Sequence, residues 1–230
     1  MTLPDSELLG DAGQMRQRSK SRRRTQEERR EEAERRILDA ATRLIADKGL
    51  DAFTLADVGE AAGFSRGLPA HYFKSKDGLL MAVVRHLFDR YFGLWQRPDN
   101  SDYDLEDLLA ATKLYFEQLL ENPRIAKAFH IIMVGSFYSP KFNKLSTRLN
   151  AESISIIERA IRTGIKQGSV RSDINPKIWS VIYLAAARGI VQQWLADPKN
   201  IDLRMAGEEG MAAIKSHFKP DQVTSYTATK

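Results

Sequence analysis

One stretch of the sequence, Thr54 to Leu80, holds the residue types best suited to binding chemistry: TLADVGEAAGFSRGLPAHYFKSKDGLL. Hydroxyl residues stand at two predicted helix starts, Thr54 and Ser65. A hydroxyl together with the free backbone N–H groups of a helix start can hold a phosphate. Arg66 follows directly, and an arginine can bind either a phosphate or a base edge. The stretch therefore indicates binding to a nucleic acid.

Two short helices and a tight turn must position these residues. Thr54 is predicted to cap the second helix of the chain, with Asp57 three residues later as the acidic partner of a capping box. Gly63 tolerates the positive φ of a tight turn. Three small residues allow the two helices to cross closely: Gly59, Ala61 and Ala62.

The third helix is predicted to run from a Ser65 cap to about Tyr72. It is too short and polar to exist for core packing alone, whereas its length suits a DNA major groove about 12 Å wide. We therefore interpret it as a recognition helix. Arg66 is the candidate for a base or phosphate contact, and Leu68 for a thymine methyl contact. Further phosphate contacts are predicted at the end of this helix and the start of the next: His71, Tyr72, Lys74 and Lys76.

A simpler interpretation of these residues stays open. Thr54 and Ser65 would be useful caps in any helical protein, and Arg66 could be one solvated arginine among many. The spacing of the two hydroxyl residues around Gly63 favours the DNA interpretation.

Basic residues are concentrated in an N-terminal arm. The net charge of +5 is modest, but six basic residues precede the first helix without an intervening acid: Arg16, Arg18, Lys20, Arg22, Arg23 and Arg24. Residues 1–24 are predicted to be disordered when unbound, and so is the tail, 221–230. Arg22, Arg23 and Arg24 are candidates for DNA contact, although charged tails are usually only solvated.

The whole chain is predicted to be all-α, because apolar residues recur at helical spacing and alternating, strand-like runs are absent. The first helix carries an apolar stripe from Ile37 to Ile45 and ends near Lys48 and Gly49. Ser75 is predicted to cap a long fourth helix that continues to Trp95. Five more helices are predicted near 102–121, 124–138, 141–167, 175–196 and 203–218, which makes about nine in total.

The stretch from Arg24 to Phe92 resembles the TetR family of repressors. Its shared features are a helix started by Thr54, the A-G-x-S pattern ending at Ser65, a glycine two residues later, and then Y-F and S-K. The resemblance implies an N-terminal three-helix DNA-binding domain, here 25–85, and a helical effector-binding and dimerisation domain, here 86–220. It also implies a core role for Phe73 and DNA-contact positions at Thr54, Ser65, Arg66, Gly67, His71, Tyr72 and Lys76.

Two residues depart from the family's pattern. Pro69 and Ala70 stand where the family usually has an aliphatic and then an aromatic residue, so the usual aromatic phosphate contact is absent at position 70. Counted from a Ser65 cap, Pro69 is the fourth residue, where its missing N–H removes at most the first helical hydrogen bond. The substitution of proline and alanine at these positions could change the direction of the recognition helix.

An effector pocket is expected within the C-terminal helices, in the general location that the resemblance implies. Large apolar side chains and a few polar ones are the candidates for its walls: Phe116, Phe129, His130, Met133, Phe137, Trp179, Tyr183 and Arg188. We expect a mainly hydrophobic or aromatic effector, oriented by Tyr183, His130 or Arg188. The alternative for each apolar residue is that it fills the core.

A homodimer is expected through the helix near 175–196, with the final helix as a second candidate. The former is apolar nearly all round, so one face needs the core and another a partner. Small residues at Ala185, Ala186 and Gly189 would permit close approach. A two-fold dimer would present two recognition helices to an imperfect palindrome in double-stranded DNA.

Other classes of function find less support in the sequence. There is no cysteine, no Glu-x-x-His pair and no P-loop, so we expect no enzyme activity, metal or cofactor. The histidines, at positions 71, 86, 130 and 217, are far apart. No apolar run is long enough to span a bilayer and no signal peptide is evident, so the cytoplasm is the expected location. A structural or nucleoid-type DNA-binding protein without an effector remains an alternative.

Overall fold

The structure is a computed structural model that describes residues 25–92 and 103–220. The predicted arm, the predicted tail and the predicted extension of the fourth helix to Trp95 lie outside these residues. Within them the fold is all-α, as predicted. The described residues form nine α-helices: α1 (Gln26–Lys48), α2 (Leu55–Ala61), α3 (Leu68–Phe73), α4 (Lys76–Phe92), α5 (Leu105–Glu121), α6 (Pro123–Gly135), α7 (Pro140–Gln167), α8 (Pro176–Ala196) and α9 (Leu203–Phe218).

Helix α1 begins and ends as its sequence dictates. Thr25 and Glu28 form a capping box, and Gly49 ends the helix with φ of 81°. On its exposed side Arg35 binds Glu32 and Asp39. Arg36 reaches across to α2, where it donates to the carbonyl oxygen of Ala62 at 2.7 Å. A long side chain of α1 therefore helps to hold the small helices in place.

We call α1 to α3 the head and α5 to α9 the body, with α4 shared between them. The buried face of α4 packs on α1 in the head and on α6 and α7 in the body: Leu79, Leu80, Val83, Val84, Leu87 and Phe88. Helix α6 also packs extensively on α1. The head and body therefore share one continuous apolar core.

Helices α5 and α9 are joined by ion pairs across a groove of about 390 Å³. Arg204 binds Glu117 at 2.6 Å and Lys215 binds Glu106 at 2.7 Å. A Cβ atom on Gly207 would lie 2.6 Å from the ring of Phe116, so the two helices approach closely. The groove is therefore part of the packing between α5 and α9.

Candidate nucleic-acid interface and ligand cavity

The N-terminus of α2 is capped as predicted. The Asp57 N–H donates to the Thr54 hydroxyl at 3.3 Å, and the Thr54 N–H donates to the Asp57 carboxylate at 2.7 Å. The Thr54 hydroxyl also donates to this carboxylate. The backbone and hydroxyl hydrogen bonds from Thr54 lower the pKa of Asp57. Thr54 is exposed at this helix end, where a DNA phosphate could reach it.

The turn between α2 and α3 requires two glycines. Gly63 has φ of 74°, a conformation that favours glycine. A Cβ atom on Gly59 would lie 2.6 Å from the Ser65 carbonyl oxygen. The sequence interpretation of both residues is therefore confirmed by their geometry.

The predicted start of the recognition helix is wrong. Helix α3 begins at Leu68 with Gly67 as its N-cap, and Ser65 to Gly67 form a turn in which the Leu68 N–H donates to the Ser65 carbonyl oxygen at 3.1 Å. Pro69 is consequently the second residue of α3, where no helical partner exists for an N–H group. Proline there costs no hydrogen bond, and the short helix tolerates it fully.

The turn and the outer face of α3 form an exposed surface. Exposed residues on it are Ser65, Arg66, Gly67, Ala70, His71 and Lys74. Arg66 lies at the corner between α2 and α3, where it pairs with Glu60 at 2.8 Å, and both side chains are more than half exposed. Leu68 is half-buried and packs against the core. Six polar or small exposed residues around one short helix suit a DNA groove better than a protein core.

Tyr72, Lys74 and Lys76 also make contacts with the backbone of the head. Tyr72 is half-buried, and its hydroxyl lies 3.5 Å from the carbonyl oxygen of Arg30. Lys74 has φ of 64° and donates to the His71 carbonyl oxygen. The Lys76 ammonium donates to the Phe53 carbonyl oxygen at 2.8 Å and lies 4.5 Å from the centre of the Phe53 ring. The Lys76 side chain thus connects α4 with the loop before α2 through these contacts. Arg22, Arg23 and Arg24 lie outside the described residues.

A cavity of about 360 Å³ opens between α6, α7 and α8. Five of the eight predicted pocket residues line it: Phe129, His130, Met133, Phe137 and Arg188. The structure places the other three elsewhere. Phe116 packs against α9, and Trp179 stacks on His217 with ring centres 4.3 Å apart. Tyr183 is completely buried, sharing a hydrogen bond of 2.7 Å with Thr112, so it cannot orient a ligand in this cavity.

Sequence reasoning missed the polar wall of this cavity. Helix α7 contributes Asn143, Ser146, Thr147 and Asn150, and α8 adds Gln192. The α7 residues recur at positions i, i+3, i+4 and i+7, the spacing of one helix face. This polar stripe is the signal in the sequence that could have revealed them.

The polar groups of the cavity surround Arg188. Its Nη1 donates to Asn150 Oδ1 at 2.6 Å, and its guanidinium carbon lies 6.0 Å from the centre of the Phe129 ring. Burial lowers the pKa of Arg188, against an opposite effect of Tyr115. Burial, with the Arg188 charge, also lowers the pKa of His130. A neutral His130 donates from Nδ1 to the Ala126 carbonyl oxygen at 2.9 Å.

A second cavity, of about 780 Å³, lies where the head meets the body. Leu50 of the head lines it with Lys76 and Leu80 of α4, and His130 and Val134 of α6 line it from the body. His130 therefore borders both cavities. A ligand that displaced α6 from within the body would also alter this junction.

The arrangement defines a class of protein, a helix-turn-helix head on a helical body with a cavity between its helices. A family model described as "Bacterial regulatory proteins, tetR family" matches residues 37–83. The HTH-type transcriptional repressor KstR2 of Rhodococcus jostii is 28% identical over 142 residues, 62% of this chain and 70% of that protein. The match assigns residues 37–83 to the DNA-binding segment of the TetR family, and the similarity to a transcriptional repressor extends beyond that segment.

Solved structures agree with this assignment. SmeT, described as the repressor of the Stenotrophomonas maltophilia multidrug efflux pump SmeDEF, has a TM-score of 0.70 at 26% identity, covering 82% of this chain and 91% of that one. A SmeT–triclosan complex has a TM-score of 0.73 at 25% identity, covering 83% and 93%. These relatives include a repressor and a complex with a small molecule. Over residues 25–92 and 103–220, no helix has the length and apolar character that a bilayer crossing requires.

Proposed function

We propose that the protein is a cytoplasmic transcriptional repressor that binds a palindromic operator as a homodimer and releases it when a small molecule occupies the body. Residues 25–85 would bind DNA, and 86–220 would bind the effector and the second subunit. The observation that carries this proposal is the position of the cavity beside α6, which also packs on α1 of the head.

The DNA contacts would come from the exposed surface around α3. Arg66 would leave Glu60 for a base edge or phosphate, while Ser65, Gly67, His71 and Lys74 would contact the backbone of the groove. Thr54 would hold a phosphate at the start of α2. Tyr72 and Lys76 would serve mainly by fixing the position of α3 and α4, given their contacts inside the head. The arm, with Arg22, Arg23 and Arg24, would add phosphate contacts.

Dimerisation would use the outer faces of α8 and α9. Ile178, Val181 and Ile182 keep 55%, 47% and 40% of their surface exposed, and Met205 of α9 keeps 65%. Ala185 is also exposed, and no atom lies within 4 Å of a Cβ atom built on Gly189. An apolar face with small residues at its centre suits close packing of two helices from two subunits.

Release would follow from differential binding. A ligand that prefers a dimer with its heads spread apart shifts the population toward that state. Helix α6 lines the cavity and packs on α1, and Leu50 of the head contacts Gly135 at its end. Movement of α6 would therefore turn the head and take α3 out of register with the operator. A nucleoid-type protein would share the head but show no such coupling.

The test has two stages. Selection from random DNA should enrich two-fold symmetric sites, with half-site centres about 10 base pairs or a multiple apart. A thermal-shift screen should then find small molecules that stabilise the fold, and each should weaken operator binding in an anisotropy titration. Asymmetric sites would contradict the dimer, and stabilising compounds without effect on the operator would favour the nucleoid alternative.

A further inference from the structure

The charge of the cavity between α6, α7 and α8 comes from one side chain. Among the described residues that line it, Arg188 is the only one with a permanent charge, and none is acidic. His130 and Tyr115 also face Arg188, and burial favours the neutral form of both. The electrostatic potential inside the cavity is therefore positive, which attracts an anion.

The same wall carries hydrogen-bond donors. Ser146 is buried to more than nine-tenths, and its hydroxyl oxygen has no hydrogen-bond partner among the described residues. Asn150, already in contact with the guanidinium, has an amide that can also donate. A buried hydroxyl without a partner is costly, and a ligand oxygen would satisfy it.

The opposite wall is apolar. Phe129, Met133, Val134 and Phe137 line it; Phe129 is buried, whereas Val134 and Phe137 keep 56% and 76% of their surface exposed. Methionine adapts to different ligand shapes. The site thus combines one cationic, donor-rich end with an apolar remainder.

We propose that the effector is an amphipathic carboxylic acid, bound as its anion. Arg188 and Ser146 hold the carboxylate, and Phe129, Met133 and Phe137 hold an aromatic or aliphatic tail. A planar guanidinium matches a carboxylate with two parallel hydrogen bonds, which an amide or an amine cannot reproduce. The inference rests on the proposed function because it takes this cavity as the effector site.

The experiment measures binding directly, by calorimetry on the full chain. The probes are phenylbutyrate, phenylbutyramide and phenylbutylamine, which share a tail and differ in charge. We expect the carboxylate to bind more tightly than the amide by about tenfold or more, equivalent to one charged hydrogen bond, and the amine to bind least. Equal affinity of the three probes, or no binding of the carboxylate at millimolar concentration, would overturn the proposal.

Variants locate the site. Arg188→Met should abolish the preference for carboxylate over amide, and Arg188→Lys should keep part of it because the charge remains. Arg162→Met is the matched control, since Arg162 is an exposed α7 residue paired with Glu158 at 2.6 Å. It should leave both affinities unchanged. A carboxylate preference that survives in a folded Arg188→Met protein would overturn the assignment.

Failure of the inference and failure of the proposed function give different results. Arg188-dependent carboxylate binding that leaves operator affinity unchanged supports the inference and contradicts the release mechanism. Operator release by neutral apolar compounds, with no carboxylate preference, supports the proposed function and overturns the inference.

Discussion

The side chain of Leu50 occupies the space that a methyl group on Gly135 would need, with Leu50 Cδ1 as the nearest atom. Leu50 follows α1 in the head, and Gly135 is the last residue of α6 in the body. Since α6 also lines the cavity between α6, α7 and α8, this contact joins the wall of that cavity to the helix-turn-helix head.

Gly135→Ala should weaken operator binding while the protein stays folded. The added methyl group pushes Leu50 and the head away from α6, and overpacking of this kind costs about 1–3 kcal/mol. Leu50→Ala in the same chain should restore affinity, because it removes the clashing atoms. Anisotropy titrations of both single variants and the double variant give the coupling free energy between positions 50 and 135. Strictly additive effects on operator affinity would mean that this contact does not couple α6 to the head.

Arg66→Ala should weaken operator binding by about 1–3 kcal/mol at matched salt. Its partner provides a control, because Glu60→Gln breaks the ion pair while keeping Arg66. That variant should bind the operator at least as tightly as the wild type, since an acidic group near phosphates is removed. If Arg66→Ala binds normally, Arg66 does not belong to the interface.

Deletion of residues 1–24 should weaken binding to all DNA sequences alike. The six basic residues of the arm would displace counterions, so truncation should flatten the dependence of affinity on salt. Titrations of one operator and one unrelated duplex over a range of salt concentrations measure both effects. An unchanged slope would identify the arm as a solvated tail.

Val181→Glu should convert the proposed dimer to monomers. A carboxylate buried at the centre of the α8 face without a partner costs about 3 kcal/mol or more. Ser155→Glu is the control, because it adds the same charge at an exposed position on α7. Analytical ultracentrifugation distinguishes the two, and a Val181→Glu protein that remains dimeric would place the interface elsewhere.

Acid should destabilise the wild type more than a His130→Gln variant. Burial and the Arg188 charge lower the pKa of His130 in the folded chain, so the unfolded chain takes up a proton first. Below the unfolded histidine pKa of about 6.5, the free energy of unfolding therefore falls as the pH falls. Denaturant titrations at several pH values compare the slopes. Equal slopes would show that His130 titrates alike in both states.

The head was largely predictable because its local sequence determines its geometry. The head contains three short-range features of this kind: the capping box of Thr54 and Asp57, the positive φ of Gly63, and the close approach at Gly59. The cap was wrongly assigned to Ser65 because a hydroxyl residue shortly before a helix suggests an N-cap at any nearby position. The Gly67 cap depends on the Ser65 carbonyl, a backbone feature without a sequence signal.

The cavity was predictable only in part. Phe129, His130 and Met133 share a helix with its wall, so helical spacing placed them together. Tyr183 has the same helical spacing in the sequence as the cavity residues. Its hydroxyl, however, shares a hydrogen bond with Thr112 of α5, a long-range partner that no local sequence pattern predicts. Whether an apolar residue fills the core or lines the cavity depends on which helices pack together. The sequence does not show this, because core and cavity residues have the same apolar periodicity.

Pro69, the second residue of α3, affects the entropy of the head as well as its geometry. A six-residue helix has too few hydrogen bonds to be stable in isolation, and proline fixes one of its φ angles before folding begins. The unfolded chain consequently has fewer conformations to lose. The same restriction limits fraying of α3 in the free protein, so less backbone order would have to be gained on entering a DNA groove.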